Sequence, residues 1–430
     1  MTVNFIEVGS DFSGNAYNTK ISSDGSIWFD STDNPFSVIG NNVAYGQDNS
    51  GNGRWIMVGL DQSNNTIKYS DDDGVTWNNA SSNSFTGFYG NGRNIHWGED
   101  AIGNKLWVAV GGDSSGNTIK YSSDGSTWID VSTNTFFDGS DGNGQGRGVA
   151  WGGDAYTIGK WIAVGGDSSG NTIKYSSDGK IWNNVTSNQF SLQGENVGWG
   201  IDGAGKSQWV SVGQDSGGNT IKYSSDGVTW YNVVSNAFSY TGNGCVWGID
   251  NLGNYKWVAV GGDNSGNTIK YSSDGINWNN VISNQFNNIG YDVTWGIDNS
   301  GNRLWVAVGG NGSTVTTKYS YDAINWVNAS SNAISGSGTG IGSRFTPPHP
   351  SPPPPPPKPK SNCPCPVIIP EQNGSNITRT LTQNQRAAQN IRNSRFTRGS
   401  RYQIIHNPTN LFGTRSGAPL GTRAPPKNTF

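Results

Sequence analysis

The 430-residue sequence predicts an all-β fold in which seven four-stranded antiparallel blades close into a ring, a β-propeller, followed by an extended Pro-rich and basic tail. Three observations predict it. A unit of about 49 residues recurs seven times, marked by Trp28, Trp77, Trp128, Trp182, Trp230, Trp278 and Trp326 at spacings of 49, 51, 54, 48, 48 and 48. Each unit holds four short runs rich in Val, Ile, Trp and Tyr, separated by turns of Asp, Asn and Gly, the pattern of strands joined by hairpins. Composition then changes abruptly: all 18 Trp precede residue 330, and 13 of the 18 Pro lie between Pro347 and Pro370.

The unit that begins at Val246 shows the elements in order. VWGID is the inner strand, WVAVGGD from Trp257 the second, NTIKYSSDG from Asn267 the third with its turn, and INWNNV from Ile276 the fourth. Four strands in a unit of this length make a propeller blade. A helical solenoid would need apolar residues at helical spacing and few glycines, whereas this chain has 62. The chain starts out of phase with the blade, because Phe5-Ile6-Glu7-Val8-Gly9 matches the second strand Trp55-Ile56-Met57-Val58-Gly59. The missing inner strand recurs after the seventh unit, at Thr339-Gly340-Ile341-Gly342. Pairing it beside the N-terminal strand closes the ring by strand exchange and removes the free sheet edges.

Ser70-Asp71-Asp72-Asp73-Gly74-Val75-Thr76-Trp77 fits the pattern S-x-D-x-G-x-T-W and resembles the Asp-box (BNR) repeat of sialidases and many other β-propellers. The resemblance implies that each box forms the hairpin between a blade's third and fourth strands. The copies carry Asp24, Asp72, Asp124, Asp178, Asp226, Asp274 and Asp322, and the last has Ala323 where the others have Gly. A feature present in every blade is explained by blade geometry, so these carboxylates are expected to staple turns. Lys20, Lys68, Lys120, Lys174, Lys222, Lys270 and Lys318 recur on the third strand and are expected to pair with carboxylates such as Asp113, Asp167 or Asp263 rather than to form a ring of anion sites. The D-S-S-G-N hairpins read as Asx turns, being too short and too poor in oxygen ligands for calcium.

Function is expected where the repeat fails. The link from one blade's last strand to the next blade's first is longest at Phe85 to Ile95 and Phe136 to Val149. These links carry Phe88, Tyr89, Arg93, Asp138, Asp141 and Arg147, with His96 just inside the following strand. Aromatic, guanidinium and carboxylate groups on one face suit a polar ligand or a glycan. A sialidase needs three convergent Arg, a Tyr and Glu pair and an Asp acid. The body offers only Arg54, Arg93, Arg147, Arg303 and Arg344 with Glu7, Glu99 and Glu195, so no catalytic residue is carried over and the chain is expected not to be an enzyme. No cofactor and no metal set is expected.

Residues 1–344 carry 17 Lys and Arg against 30 Asp and Glu, a net of −13, while 345–430 carry 11 against 1, a net of +10. The expected division is a propeller at 1–344, a Pro-rich linker at 345–370 and a basic extended tail at 371–430. The linker is expected to be a polyproline II spacer. Arg392, Arg395, Arg398 and Arg401, at intervals of three, and the apolar Leu411, Phe412 and Phe430 are expected to contact a protein partner, with nucleic acid second. The closing stretch Asn407–Phe430 resembles C-terminal peptides of structural proteins of large DNA viruses. No stretch approaches the roughly 18 apolar residues needed to cross a bilayer, and a signal peptide is not expected. The sequence therefore points to a binding or structural module on a Pro-rich stalk, anchored by a basic peptide in a virion or in the cytoplasm of an infected cell. The alternatives are a glycan-binding lectin and, third, a glycosidase of sialidase type.

Overall fold

The computed structural model describes residues 2–345 except 11–18, 34, 88–89, 137–143, 154–158, 202–204, 311–315, 331–333 and 335. The expectations for the linker beyond Phe345 and for the tail lie outside these residues. Every described element is a strand, and no helix of the described residues is long and apolar enough to cross a membrane.

Five sheets of four antiparallel strands stand separately, and an eight-stranded sheet divides into two more blades joined only by the pair Gly310 and Ser337. In the third blade the strands are Asn91–Glu99, Lys105–Gly112, Ile119–Ser122 and Ile129–Asp130, running outward from the axis. The seven inner strands neighbour one another in an unbroken circle. The first blade takes its inner strand, Ser337–Ser343, from the far end of the ring, where Ile341 pairs with Glu7 and Ser343 with Phe5. The strand-exchange closure is thus present.

The core lies between blades. Ile56 and Val58 of the second blade pack with Ile95, Trp107 and Trp128 of the third, and equivalent clusters fill the other interfaces. Close approach of the inner strands explains the Gly that follows each inner aromatic. A Cβ on Gly98 would fall 2.3 Å from Trp151 Cγ of the next blade, and the contact recurs at Gly46 with Trp97 and at Gly200 with Trp247.

The Asp-box hairpins behave as turn staples. Asp124 Oδ1 accepts from the N–H groups of Ser126 and Thr127 at 2.7 Å each, and Ser122 Oγ accepts from Gly125 N at 2.8 Å. Burial opposes the charge on Asp124, but these backbone donors outweigh it and hold the carboxyl below its usual range. Ala323 occupies the Gly position at φ 66°.

The repeated lysines are buried, and six of the seven pair with carboxylates among the described residues. Lys120 lies 3.3 Å from Asp113 and 2.6 Å from Asp130, while Lys174 meets Asp167 and Lys270 meets Asp263, both at 3.1 Å. Six of the seven ammoniums also sit over a Phe of the preceding blade, as Lys120 does over Phe85 at 5.0 Å. Lys318 bonds Asn284 and Asn328 through Oδ1 at 2.9 and 2.6 Å and has no carboxylate among the described residues. Burial brings it down to about 8. The D-S-S-G-N hairpins are Asx turns, with Asp113 Oδ1 accepting from Ser115 N at 2.8 Å.

Candidate functional site at the upper mouth of the channel

The inner strands enclose a channel, and each begins at what we term the upper face. Near that end every inner strand carries one unpaired residue at a register shift: Asn41, Arg93, Arg147, Glu195, Asn243 and Tyr291 fall between paired neighbours on both sides. In the first blade the shift lies opposite Val8 and Gly9 and leaves Thr339 in the same place. A bulge of this kind turns one side chain out of the pleat. All seven bulge residues line one cavity of about 500 Å³ at the upper mouth, together with Asn91, Gln214 and Tyr240.

The backbone is alike at the seven positions and the side chains are not. Blades three to five contribute Arg93, Arg147 and Glu195, a charged half. The remaining blades contribute amides, a hydroxyl and Tyr291, with Tyr240 above them, 64% exposed. Arg147 Nη1 donates to Glu195 Oε2 at 3.1 Å, and Gln193 Nε2 donates to Glu195 Oε1 at 2.6 Å, so that carboxylate is engaged on both oxygens. Arg93 donates through Nε to Gln145 Oε1 at 3.2 Å, and its two Nη groups have no hydrogen-bond partner among the described residues. Arg147 Nε is buried and equally unpartnered. Burial and then the Arg147 charge lower the Arg93 pKa, with Glu195 offsetting part of the effect. Among the described residues Glu195 pairs with Arg147, Asp292 also lines the cavity but is engaged by Asn42 and Ile341, and Arg93 is left without a carboxylate partner.

The sequence-based candidates divide accordingly. Arg93 and Arg147 reach the same cavity but belong to inner strands, Asn91–Glu99 and Gln145–Gly152, rather than to the long links assigned to them from the sequence. The bulge, not loop length, aims them. Phe88, Tyr89, Asp138 and Asp141 lie outside the described residues. His96 sits lower in the channel wall, where its Nδ1 accepts from Trp151 N at 3.4 Å and its ring stands edge-on to Trp161. Burial pushes it down to about 4, so it is neutral at pH 7. Sequence reasoning missed Glu195, Tyr240 and Tyr291. Aligning the residue after the inner-strand Gly across all seven units would have shown Arg, Arg and Glu on successive blades.

Below the bulges the channel narrows past Val43, Ile95, Val149, Val197, Cys245, Val293 and Ile341. Asp292 lies between the two regions, where its carboxylate accepts from Asn42 Nδ2 at 2.9 Å and Ile341 N at 3.1 Å. Burial nonetheless pushes it up to about 7. The lower end, a cavity of about 200 Å³, is rimmed by Tyr45, Trp97, Trp151, Trp199, Trp247, Trp295 and Phe345.

No protein-family model matches the sequence, and no curated protein matches it. The chain is similar to solved β-propeller structures. A lectin from Burkholderia pseudomallei is 15% identical with a TM-score of 0.49, covering 76% of this chain and 99% of that one. A streptogramin B lyase is 11% identical with a TM-score of 0.48, covering 79% and 91%. A GH74 xyloglucanase from Xanthomonas campestris is 14% identical with a TM-score of 0.40, covering 70% and 43%. The chain spans less than half the length of the GH74 enzymes, 38% of that from Niastella koreensis and 43% of the Xanthomonas protein. These similarities correct the expectation that the chain is not an enzyme. Several of these propellers are glycoside hydrolases, including an α-L-arabinanase and an α-L-arabinofuranosidase, so the lack of a sialidase set does not exclude catalysis on this architecture.

Proposed function

We propose that the propeller is a binding module whose upper mouth takes a polar ligand, with a glycan as the class that best suits the lining. The observation that carries this reading is the bulge ring, which presents seven side chains to one cavity by a shared backbone device and varies them from blade to blade. A purely structural ring has no use for a guanidinium such as that of Arg93, whose two Nη groups have no partner among the described residues. Tyr240 and Tyr291 offer apolar faces with polar edges, as a sugar ring requires, and the amides of Asn41, Gln214 and Asn243 supply directional hydrogen bonds.

The proposal extends to the arrangement of the chain, an Asp-box propeller at 1–344 displayed on the linker 345–370 and anchored by the tail 371–430 to a protein partner, in keeping with a virion-associated protein. Phe345, the last described residue, lies at the lower rim. A glycan array with the full chain tests the reading: selective binding that Tyr240→Ala or Arg93→Gln weakens supports it, and an array without selective binding refutes it.

A further inference from the structure

The charge balance at the upper mouth goes beyond a general affinity for polar ligands. Arg147 is neutralised by Glu195, whose second oxygen is held by Gln193. Arg93 has a single bond, to a neutral amide, and two outer nitrogens with no partner among the described residues. Burial and then the neighbouring Arg147 charge oppose the charge on Arg93, and an anion at its fork would favour it. A guanidinium with both Nη groups open presents a planar fork that fits two oxygens of one group.

Building on the mouth as a ligand site, we infer that its ligand is a saccharide bearing a single anionic substituent, a carboxylate or a sulfate ester, held by Arg93. Arg93, the one guanidinium of the pair with no carboxylate partner among the described residues, matches one negative charge. A polyanion is disfavoured by the rest of the body, where residues 1–344 carry a net of −13. The saccharide itself meets the other half of the rim, where Tyr240 stands 64% exposed beside Asn243 and Tyr291. Glu195 positions Arg147 and is its carboxylate partner. With that carboxylate removed, both guanidiniums would lack a carboxylate partner among the described residues, and the pair would favour a dianion.

The test uses the full chain and five probes at low salt: methyl glucuronide, a sulfated glucose, a phosphorylated glucose, methyl glucoside and inorganic sulfate, with affinity read by titration calorimetry. The basic tail is present in every variant, so its attraction for anions cancels when the wild type is compared with Arg93→Gln. The expected result is that at least one charged sugar binds about tenfold or more tightly than methyl glucoside, and that Arg93→Gln abolishes the difference. The carboxylate and sulfate arms then identify the substituent. Glu195→Gln should raise the affinity for phosphorylated glucose, a dianion, several-fold over that of the wild type. Melting curves confirm that each variant is folded. Equal binding of charged and neutral sugars, weakened by Tyr240→Ala but not by Arg93→Gln, overturns the anionic ligand and leaves the mouth as a glycan site. Binding of inorganic sulfate without either sugar overturns the saccharide. No binding by any probe, or binding indifferent to both substitutions, overturns this inference and the proposed site together.

Discussion

The two ends of the channel are built from the same seven strands and differ in what they repeat. At the lower end six of the seven blades place Tyr or Trp at one position, and where the next blade supplies a Trp it covers the preceding blade's Gly. At the upper end the equivalent bulge residues are Asn, Arg, Arg, Glu, Asn, Tyr and Thr. Uniformity marks a contact that every interface must make, since a wedge-shaped gap between blades demands the same large side chain each time. Heterogeneity at a position of uniform backbone marks a surface released from packing and therefore free to recognise something. The lower ring should carry stability and the upper ring binding.

The largest effect that would break this contrast concerns closure, which both ends need. Truncation at Ser335 removes Ser337–Ser343 and leaves Phe5–Ser10 with an open edge, so the cooperative thermal transition should be lost or replaced by aggregation. An unchanged melt would show that the ring does not depend on its exchanged strand. At the lower end Trp247→Ala should destabilise by about 3–5 kcal/mol in urea unfolding, because a side chain only 2% exposed leaves a cavity. Arg93→Gln at the upper end should change stability by about 1 kcal/mol or less. Similar costs for the two would erase the distinction.

Acidity tests the boundary between the two regions. Glu7 is fully buried, and burial pushes it up to about 8 despite hydrogen bonds from Thr317 and the charge of Lys20, while Asp292 stands at about 7. Both folded values exceed the usual carboxyl values, so the folded state binds more protons than the unfolded chain at neutral pH. Their stabilisation is complete at acid pH and is lost as pH rises through about 7 and 8. Stability should therefore fall by about 5 kcal/mol between roughly pH 5.5 and 8.5, and Glu7→Gln should flatten that slope. A profile that rises over this range would contradict the burial of both carboxyls. The smallest effect is expected at the hairpins. Asp124→Ala removes two backbone acceptor bonds from an exposed turn, and by analogy with helix caps should cost about 0.5–2 kcal/mol without altering ligand affinity.

Much of the architecture was legible because the repeat is local. Within one unit the alternating Val, Ile and Trp runs, the Asp-box turn and the lysine beside Tyr121 each state their strand or hairpin, and the partner Asp113 lies only seven residues from Lys120. The phase offset between Phe5–Gly9 and Trp55–Gly59 disclosed even the closure, since a strand missing at one end of the chain must be supplied by the other. The site was legible only in part. Arg93 and Arg147 stood out by rarity in an acidic body, but loop length suggested the wrong carrier for them. Glu195 and Tyr291 were hidden because their strands follow links of ordinary length.

What the sequence by itself determined, then, is the blade: seven copies of a four-stranded unit, their turns, their buried ion pairs and the segment that completes the first of them. The blade, its turns and its ion pairs follow from contacts within about 50 residues, which hydrophobic period and turn chemistry encode directly, and the completing segment follows from the phase of the repeat. Only the tertiary structure decided which side chains meet at the axis. A bulge is a register defect between two strands, visible once Gly92 and Asn94 are seen paired on either side of Arg93. The cavity it faces exists only when the ring has closed. Arg93, Arg147 and Glu195 are about one repeat apart along the chain and become neighbours because rotation about the channel axis turns equal positions in successive units into adjacent positions in space.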